Sequence, residues 1–538
     1  MVWVNPPQVR KSRLLVFVTL PLAFTLCYFL SDDFTRYYGS YSAIIFPPSP
    51  QESRELDWWA NLFTRLESAR PLTAPIVLED NAPGENWKPE IDHARPDVLY
   101  MSPVDEAGLF TSHSSFVAEL PDLVRRLPFN RGTTGIVTTA GVGNFGQVVT
   151  LVVMLRQSGS RFPVEIILDT SKSWMDDLCD NSLRKLNATC IKPKKTWSRL
   201  SVPVPDLKIF QWKAISMVAS TFQNILFLDA DCFPALNPDP IFAPASEPFA
   251  STGFITWPDF WAPTASKYFY SIAGNMEPPP LSTRTTSESG IMVLDKSRHA
   301  DTLLLSTYYN YYGPDYYYTL LTQHGPGEGD KETFLHAALV LEALSKKQKH
   351  SDNTNDRRKE KRRSATNPKQ PKQTKGYYDV KTMPRVHGQL DGPKNEWRGL
   401  FMQQMDPMED YRATQAAKHR RDDATETETQ ADPKRFMFFH HNGVKLDFSG
   451  INDDEDSRLL ATDWTDVTGH GGGRNKGVSG MPRRLWGDPG WIAERTGGRD
   501  VEREMWRGVM EIWCSVKRGG KFRRACAKMG EVWEAVYV

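Results

Sequence analysis

The sequence predicts an α/β fold with a mostly parallel, doubly wound sheet. Three apolar segments predict buried strands, at residues 135–141, 164–169 and 225–228. Amphipathic patterns at 148–157 and 206–222 predict the helices between them. Alternating strands and helices are typical of parallel sheets flanked by helices. Ligands of such sheets bind at the carboxyl ends of the strands, so functional side chains are expected there.

The third strand ends in two acidic residues. Asp229 and Asp231 flank Ala230, and Pro234 follows shortly after. The two-residue period of a strand places both carboxylates on one side of the chain. Buried carboxylates are costly without a positive partner, and Mg²⁺ or Mn²⁺ suits their hard oxygens. The pattern therefore predicts a divalent-metal site; the alternative interpretation is an Asp-rich turn after a strand.

Composition excludes some broad classes of function. The 538 residues carry 66 basic and 65 acidic side chains, a net charge of +1. This balance gives no indication of a nucleic-acid partner. Aromatic residues make up 11% of the chain, which agrees with, but does not establish, carbohydrate binding.

The N-terminus predicts a membrane anchor. Residues 14–30 are uncharged and almost wholly apolar, and basic residues precede them within 1–13. A helix of this length spans about 26 Å, enough for a thin bilayer. The basic flank should remain cytoplasmic, which leaves the rest of the chain lumenal. A cleaved signal peptide is the alternative, although no clear cleavage site follows.

The lumenal part divides into an accessory region and a catalytic body. Residues 31–130 are expected to form a stem and accessory region, with a helix near 56–66. Residues 131–538 form the predicted catalytic domain, interrupted by a disordered basic insertion at about 346–375. An oxidising compartment permits disulfides. Local pairing would join Cys179 to Cys190 and Cys514 to Cys526, but spacing alone does not fix the connectivity.

Several further polar residues lie at the ends of predicted elements. Glu288 and Gly290 precede an apolar strand, and the glycine would allow a substrate to approach the backbone. Asp330 lies where a helix is expected to begin, as an N-cap. Asp259 follows another strand. Each acid could equally be a cap or a turn former.

A histidine pair ends the aromatic segment 436–439. His440 and His441 follow its last phenylalanine. In a chain that already carries two acids at a strand end, one of these histidines is a candidate third metal ligand. The sequence does not decide between them, and a structural histidine is the alternative.

Taken in order, these motifs resemble the fungal α-1,3-mannosyltransferase family, glycosyltransferase family 71. The motifs are GIVTTAG, FLDADCFPALNPDPIF, TWPDFW, ESGIMVLDK and GDKETF, spread over residues 131–345, together with the histidine segment. The resemblance implies a GT-A-type nucleotide-sugar transferase fold, GDP-mannose as donor, Mn²⁺ (or Mg²⁺) as cofactor and retention of the anomeric configuration. It also implies a single-pass type II protein of the Golgi membrane. The acceptor would be a mannan or a glycoprotein, and the protein would belong to a Golgi transferase complex.

The resemblance also suggests roles for individual residues. Asp229 and Asp231 would bind the metal, with His440 or His441. Glycogenin-like transferases, which are similar over a smaller core, place a lysine sixteen residues before the first of these acids. Lys213 matches it and would contact the donor diphosphate. The segment Thr138, Thr139, Ala140 and Gly141 would line the nucleotide site. Glu288, Gly290 and Asp330 would face the transferred sugar and the acceptor.

Two other functions remain open from the sequence. One is a related retaining transferase that uses UDP-glucose, UDP-galactose or UDP-N-acetylglucosamine. The other is a non-catalytic Golgi protein that keeps the fold as a binding module. The choice of GDP-mannose over a UDP-sugar as donor rests on the resemblance alone.

Overall fold

A computed structural model describes residues 49–91, 94–356, 376–387, 401–422, 435–441, 484, 489–515 and 520–538. The expected cytoplasmic tail (1–13) and membrane segment (14–30) lie outside these ranges. Among the helices in the described ranges, none combines the length and apolar character needed to cross a bilayer.

A seven-stranded mixed sheet forms the centre of the molecule. Its strands are β1 (Asn130–Ala140), β2 (Val164–Leu168), β3 (Ala188–Ile191), β4 (Phe222–Leu228), β6 (Phe254–Pro258), β7 (Ser287–Asp295) and β8 (Tyr378–Asp379). Their spatial order is β3-β2-β1-β4-β7-β6-β8. Only β7 runs against its neighbours. The expected mostly parallel α/β sheet is therefore present, and the carboxyl ends of β1 and β4 lie side by side.

Helices cover one face of this sheet. They are α1 (Pro50–Ser68), α2 (Pro103–Arg126), α6 (Gln211–Ala219), α9 (Lys296–Tyr311) and α11 (Thr333–Asp356). Both faces of the sheet are buried, as two successive residues of β1 illustrate. Val137 belongs to the core beneath these helices, and Ile136 belongs to the core on the opposite face of the sheet. Near-continuous apolar strands are what a sheet covered on both faces requires.

The opposite face packs against α3 (Phe145–Gln157), a small second sheet and the C-terminal helices. The second sheet has the order β5-β11-β10-β9, from β5 (Cys232–Pro234), β11 (Phe436–His440), β10 (Phe401–Met405) and β9 (Arg385–His387). Helices α12 (Pro407–Asp422), α13 (Pro489–Arg495), α14 (Val501–Ser515) and α15 (Gly520–Val536) complete the described C-terminal part. The pairing of β11 with β5 sets His440 opposite Cys232, next to Asp231.

Short helices fill the remaining connections. They are α4 (Ser173–Asn181), α5 (Pro193–Trp197), α7 (Phe249–Thr252), α8 (Lys267–Ile272) and α10 (Tyr318–Thr322). Disulfides join Cys179 to Cys190 and Cys514 to Cys526, the two local pairings considered from the spacing. Cys232 is buried and free.

Three sequence predictions are corrected by the structure. The accessory region, for which we predicted a helix near 56–66, also contains the long helix α2. Its buried face includes Ser112 and His113, which interrupt the apolar pattern. The helix predicted at 206–222 is limited to Gln211–Ala219, because 222 already begins β4. Ile209, which lies inside the predicted amphipathic helix, precedes the observed helix and is 85% exposed.

The third correction concerns the basic insertion. Its first part is helical, because α11 continues to Asp356; residues 357–375 lie outside the described residues. Lys346 pairs with Glu342 one turn earlier, at 2.6 Å, and Lys347 Nζ donates to the carbonyl oxygens of Gly274 and Asn275. Lysine and glutamine are good helix formers, and such pairs extend a helix without apolar residues.

Candidate active site

A cleft of about 710 Å³ opens at the carboxyl ends of β1 and β4. Its walls come from six parts of the chain: the β1–α3 connection, the turn before α6, the exit of β4, the loop after β6, the start of β7 and the segment before α11. His440 closes one end. The residues lining it are Thr139, Asn144, Gln147, Ile209, Phe210, Lys213, Asp229, Ala230, Asp231, Asp259, Phe260, Trp261, Glu288, Ser289, Gly327, Glu328, Asp330, Lys331 and His440.

Lys213 is shared by two carboxylates. Its Nζ lies 2.8 Å from Asp229 Oδ2 and 3.0 Å from Asp330 Oδ2. It also donates to Ser289 Oγ at 2.9 Å, and that hydroxyl donates to Asp330 Oδ1 at 3.0 Å. Burial disfavours the ammonium, but the two acids outweigh it and raise the pKa of Lys213 well above its usual range. Lys213 is therefore a fixed positive charge in the cleft.

Asp229 is held less firmly in its ionised form. Burial raises its pKa to about 6, with further contributions from Asp330 and Asp231, although Lys213 acts in the opposite direction. Its backbone N–H donates to the carbonyl oxygen of Gly290 at 2.8 Å, across the β4–β7 pair. A Cβ on Gly290 would lie 2.7 Å from Cys232 Sγ and 2.9 Å from Glu288 Oε1. Only glycine allows the strand to pass this close to the acids.

A second group surrounds His440. Its Nδ1 lies 3.0 Å from Glu288 Oε2 and its Nε2 lies 3.7 Å from Asp231 Oδ1. Burial opposes the charged imidazole, but Glu288 and Asp231 raise the pKa of His440 to about 9. Burial disfavours the carboxylate of Glu288, but His440 outweighs burial and lowers the pKa of Glu288 to about 2. The hydrogen bond that Gly290 N–H donates to Glu288 Oε1 also lowers this pKa. The pair is charged at neutral pH.

The two groups together leave negative charge in excess. Asp229, Asp231, Glu288 and Asp330 face Lys213 and His440, which is four acids against two bases. Ligand atoms of Asp231, Cys232 and His440 lie within 4.8 Å of one another. An excess of two negative charges fits one divalent cation, and His440 would give up its proton to become a ligand beside Asp231.

The opposite end of the cleft is aromatic. The rings of Phe260 and Trp261 are half-buried, with centroids 4.6 Å apart. Beneath them Lys331 Nζ donates to Asp259 Oδ2 at 2.9 Å, so this acid has a lysine of its own. Burial still raises the pKa of Asp259, with Lys331 opposing. Aromatic faces beside hydrogen-bonding groups are suited to binding a sugar ring.

The accessory region supports this aromatic end. Trp87 N donates to the carbonyl oxygen of Phe260 at 2.9 Å, and Ala262 N donates to that of Glu85 at 2.8 Å. A Cβ on Gly84 would lie 3.7 Å from the ring of Trp261. Residues far upstream of the sheet therefore hold one wall of the cleft in place.

The structure places the sequence-predicted residues unequally. It brings Lys213, Asp229, Asp231, Glu288, Asp330 and His440 together in the cleft, with Gly290 behind them. His441 instead packs between Phe233 and Phe401. Asp330 is not the expected N-cap, because its side chain turns to Lys213 and Ser289 and α11 begins only at Thr333.

The predicted nucleotide segment is also divided. Thr139 lines the cleft, whereas Thr138 and Ala140 are buried in β1. Gly141 N donates to Asn144 Oδ1 at 2.7 Å, and a Cβ at Gly141 would meet the carboxylate of Asp169. This tight turn presents Asn144 at the start of α3 to the cleft.

Some lining residues were not predicted. Ser289, Lys331 and Phe210 had no signal of their own, although Ser289 lies inside a quoted motif and Lys331 follows Asp330. Phe210 was hidden because the predicted helix included it. Asn144 and Gln147 could be found only from the position of α3 relative to β1.

Comparison with known proteins agrees with the motifs. Residues 133–285 and 280–379 match the family model described as "Mannosyltransferase putative". The α-1,2-mannosyltransferase MNN2 of Saccharomyces cerevisiae is 34% identical over 274 residues, which are 45% of this chain and 45% of that protein. The α-1,2-mannosyltransferase MNN24 of Candida albicans is 30% identical over 396 residues, 67% of this chain and 49% of that protein.

These matches are partial. The chain spans about half the length of the curated relatives that it matches. Among solved structures, the glycosyltransferase GlyE of Streptococcus pneumoniae TIGR4 is 10% identical, with a TM-score of 0.25 over 40% of this chain and 43% of that one. The relatives are named as α-1,2-mannosyltransferases, so the α-1,3 linkage expected from the resemblance is not confirmed. The chain is therefore similar, over the region that carries the motifs, to proteins described as mannosyltransferases.

Proposed function

We propose that this chain transfers mannose from GDP-mannose to a mannose-containing glycan of glycoproteins, with retention of configuration and dependence on Mn²⁺ or Mg²⁺. The observation that carries the proposal is the excess of two negative charges at the exit of β4, in a cleft that also holds Lys213. An acidic cleft would repel a diphosphate unless a cation bound with it. The names of the relatives favour mannose as the transferred sugar.

We assign the metal site to Asp231, His440 and Asp229. His441 is left out, since its ring packs against Phe233 and Phe401. When bound, the cation would neutralise the diphosphate and stabilise the charge that develops on the GDP leaving group. Lys213 adds a second, permanent positive charge for the same phosphates.

Glu288 and Asp330 are assigned to the transferred sugar and the acceptor hydroxyl. Glu288 is ionised, since its pKa is about 2, so it can accept hydrogen bonds from sugar hydroxyls or stabilise positive charge at the anomeric carbon. Asp330 is fixed by Lys213 and Ser289, which gives it one orientation. Phe260 and Trp261 would stack on the acceptor ring and position its hydroxyl for transfer.

The linkage and the cellular location are also proposals. The relatives' names favour an α-1,2 product over the α-1,3 product expected from the motifs. The apolar segment 14–30 and its basic flank favour a single-pass type II protein of the Golgi membrane with a lumenal catalytic domain. The two disulfides agree with an oxidising compartment.

The test is transfer by the full chain in detergent, with GDP-mannose and the three UDP-sugars offered separately to a methyl mannoside. We expect product only from GDP-mannose, no product in EDTA, and recovery with Mn²⁺. NMR of the product would give the linkage and the anomeric configuration. Preference for a UDP-sugar would replace the donor assignment, and donor binding without transfer would indicate the non-catalytic alternative.

A matched pair of variants tests the metal assignment. Asp231→Asn should lower kcat by at least about 10³-fold, because it removes a charged ligand while keeping its shape. Asp180→Asn changes an exposed acid on α4, outside the cleft, and should leave kcat unchanged. Equal activity of both variants, or full activity in EDTA, would contradict a metal at this site.

A further inference from the structure

A second cavity, of about 680 Å³, lies beside the catalytic cleft. It is formed by the end of α1, the residues that follow it, the turn before α6 and the start of the π-helical turn Gly313–Tyr317. Nothing in the proposed transfer reaction uses it. Its size is within the range of small-molecule binding sites.

The lining of this second cavity combines aromatic rings with acids. Tyr311, Tyr312 and Tyr316 contribute rings. The hydroxyl of Tyr312 donates to the carbonyl oxygen of Leu66 at 2.7 Å, and that of Tyr316 donates to the carbonyl oxygen of Thr73 at 2.7 Å. These bonds hold two rings rigidly at the wall. Rigid rings lose little conformational entropy when a ligand binds.

The charges of the cavity disfavour anionic ligands. Arg70 is the basic side chain of its lining, and it pairs with Glu67 at 3.3 Å. Asp206 and Asp315 add two exposed carboxylates, and Lys194 lies 3.6 Å from the first of them. A nucleotide or a phosphate would meet net negative charge here. Carboxylates accept hydrogen bonds from neighbouring hydroxyls, and tyrosine rings pack on apolar ring faces. A neutral sugar fits both features.

One turn of the chain separates the two cavities. Leu207 and Gln211 line the second cavity, whereas Ile209 and Phe210, between them, line the catalytic cleft. The turn is held from both sides, because Lys208 N donates to Gln211 Oε1 at 2.6 Å and Gln211 Nε2 donates to the carbonyl oxygen of Tyr311 at 2.7 Å. A ligand long enough to cross this turn would occupy both cavities at once.

We propose that the second cavity is a binding site for the remote part of the acceptor glycan, a neutral oligomannoside whose reacting end lies in the catalytic cleft. The proposal rests on the proposed function, because it takes the acceptor to be a mannose chain. Binding at two linked places makes the second contact intramolecular and raises the affinity for long acceptors selectively. The site would therefore distinguish long chains from single sugars.

The test uses the full chain with a methyl mannoside and with a long α-linked mannose oligosaccharide. Replacing both acids, Asp206→Ala with Asp315→Ala, should raise KM for the long acceptor by about five-fold or more, the effect of losing one or two hydrogen bonds, with kcat unchanged. KM for the methyl mannoside should not change. Asp180→Ala, an exposed acid elsewhere, is the matched control and should affect neither acceptor.

A second variant and a direct binding measurement complete the test. Tyr311→Leu keeps an apolar side chain but removes the ring, and it should give the same selective rise in KM. Saturation-transfer NMR should show the long oligosaccharide contacting the wild-type chain in the presence of GDP and Mn²⁺, and a weaker signal with the double variant. Equal KM ratios for wild type and both variants would overturn the second site. Absence of mannosyl transfer by the wild type would instead overturn the proposed function. Failure of the second site and failure of the proposed function therefore give different results.

Discussion

Two buried lysines contact opposite ends of the same helix, α6. Lys213 lies in its first turn, where its Nζ meets the carboxylates of Asp229 and Asp330. Lys296, at the start of α9, donates to the carbonyl oxygens of Val218 and Ser220 at the other end, at 3.1 and 2.5 Å. Both side chains are almost fully removed from solvent. They differ only in the groups that receive their hydrogen bonds.

That difference reverses the effect of burial. Around Lys213, burial is outweighed by two carboxylates, and the pKa of the amine is raised. Around Lys296, burial prevails over the weaker attraction of Glu165 and lowers the pKa to about 7. Carbonyl dipoles at a helix end satisfy an amine without requiring that it stay charged. Burial alone therefore does not separate these two lysines; the carboxylates beside Lys213 do.

Between the two lysines, the larger effect on activity should come from removing the one with acidic partners. Lys213→Met should lower kcat/KM for the donor by about 10²-fold or more, because a charge on the diphosphate acts in both the ground state and the transition state. Steady-state kinetics with varied GDP-mannose would measure it. Lys296→Met is the matched control and should keep activity within about two-fold. Loss of activity in both variants, with both still folded, would contradict the distinction.

The next effect concerns stability and pH. In the unfolded chain Lys296 has the ordinary lysine pKa of 10.5, and in the folded chain about 7, so between these values the unfolded state binds more protons. Stability of the wild type should therefore rise with pH across this window, by up to about 5 kcal/mol from this residue. Lys296→Met lacks this contribution. Denaturant unfolding at pH 6.5 and 9 would give the free energy of unfolding of both proteins. The variant should become less stable relative to the wild type as the pH rises. If the difference in unfolding free energy between the two proteins is the same at both pH values, Lys296 does not titrate in this range.

The smallest effect should come from the hydroxyl between Lys213 and Asp330. Ser289→Ala removes two hydrogen bonds but no charge, and it should lower kcat by about five- to ten-fold. Ser306→Ala is the matched control, since Ser306 is buried in α9 and its hydroxyl donates within its own helix, to the carbonyl oxygen of Leu303. If the two substitutions change kcat equally, Ser289 has no special part in orienting Asp330.

The sequence predicted the central sheet well because its strands are buried on both faces. Segments such as 225–228 are continuously apolar, and the acids that follow them mark the carboxyl edge. The gathering of Glu288, Asp330 and His440 near Asp231 depends on strand order and on the second sheet. The pattern suggested a histidine ligand, and the family resemblance suggested roles for Glu288 and Asp330, but neither predicted the second sheet. The choice of His440 over His441 needed the register of β11 against β5.

Other features were beyond local patterns. Helix α2 was missed because Pro121 and the buried polar residues Ser112 and His113 obscure its periodicity. The aromatic wall was only partly foreseen, since TWPDFW shows the rings but not their distant support. The second cavity involves residues from three separated segments, none of which carries a motif.

The support of that wall has a consequence for the smallest active fragment. The match to the family model begins at residue 133, yet the hydrogen bonds from Trp87 to Phe260 and from Ala262 to Glu85 bring the segment 85–87 against the loop after β6. A fragment cut at the family boundary would lose this support, and with it helices α1 and α2, whose buried residues share a core with β1 and β4. The smallest folded fragment should therefore begin before α1, and in the proposed reaction the segment 85–87 would help to position the acceptor through Phe260 and Trp261.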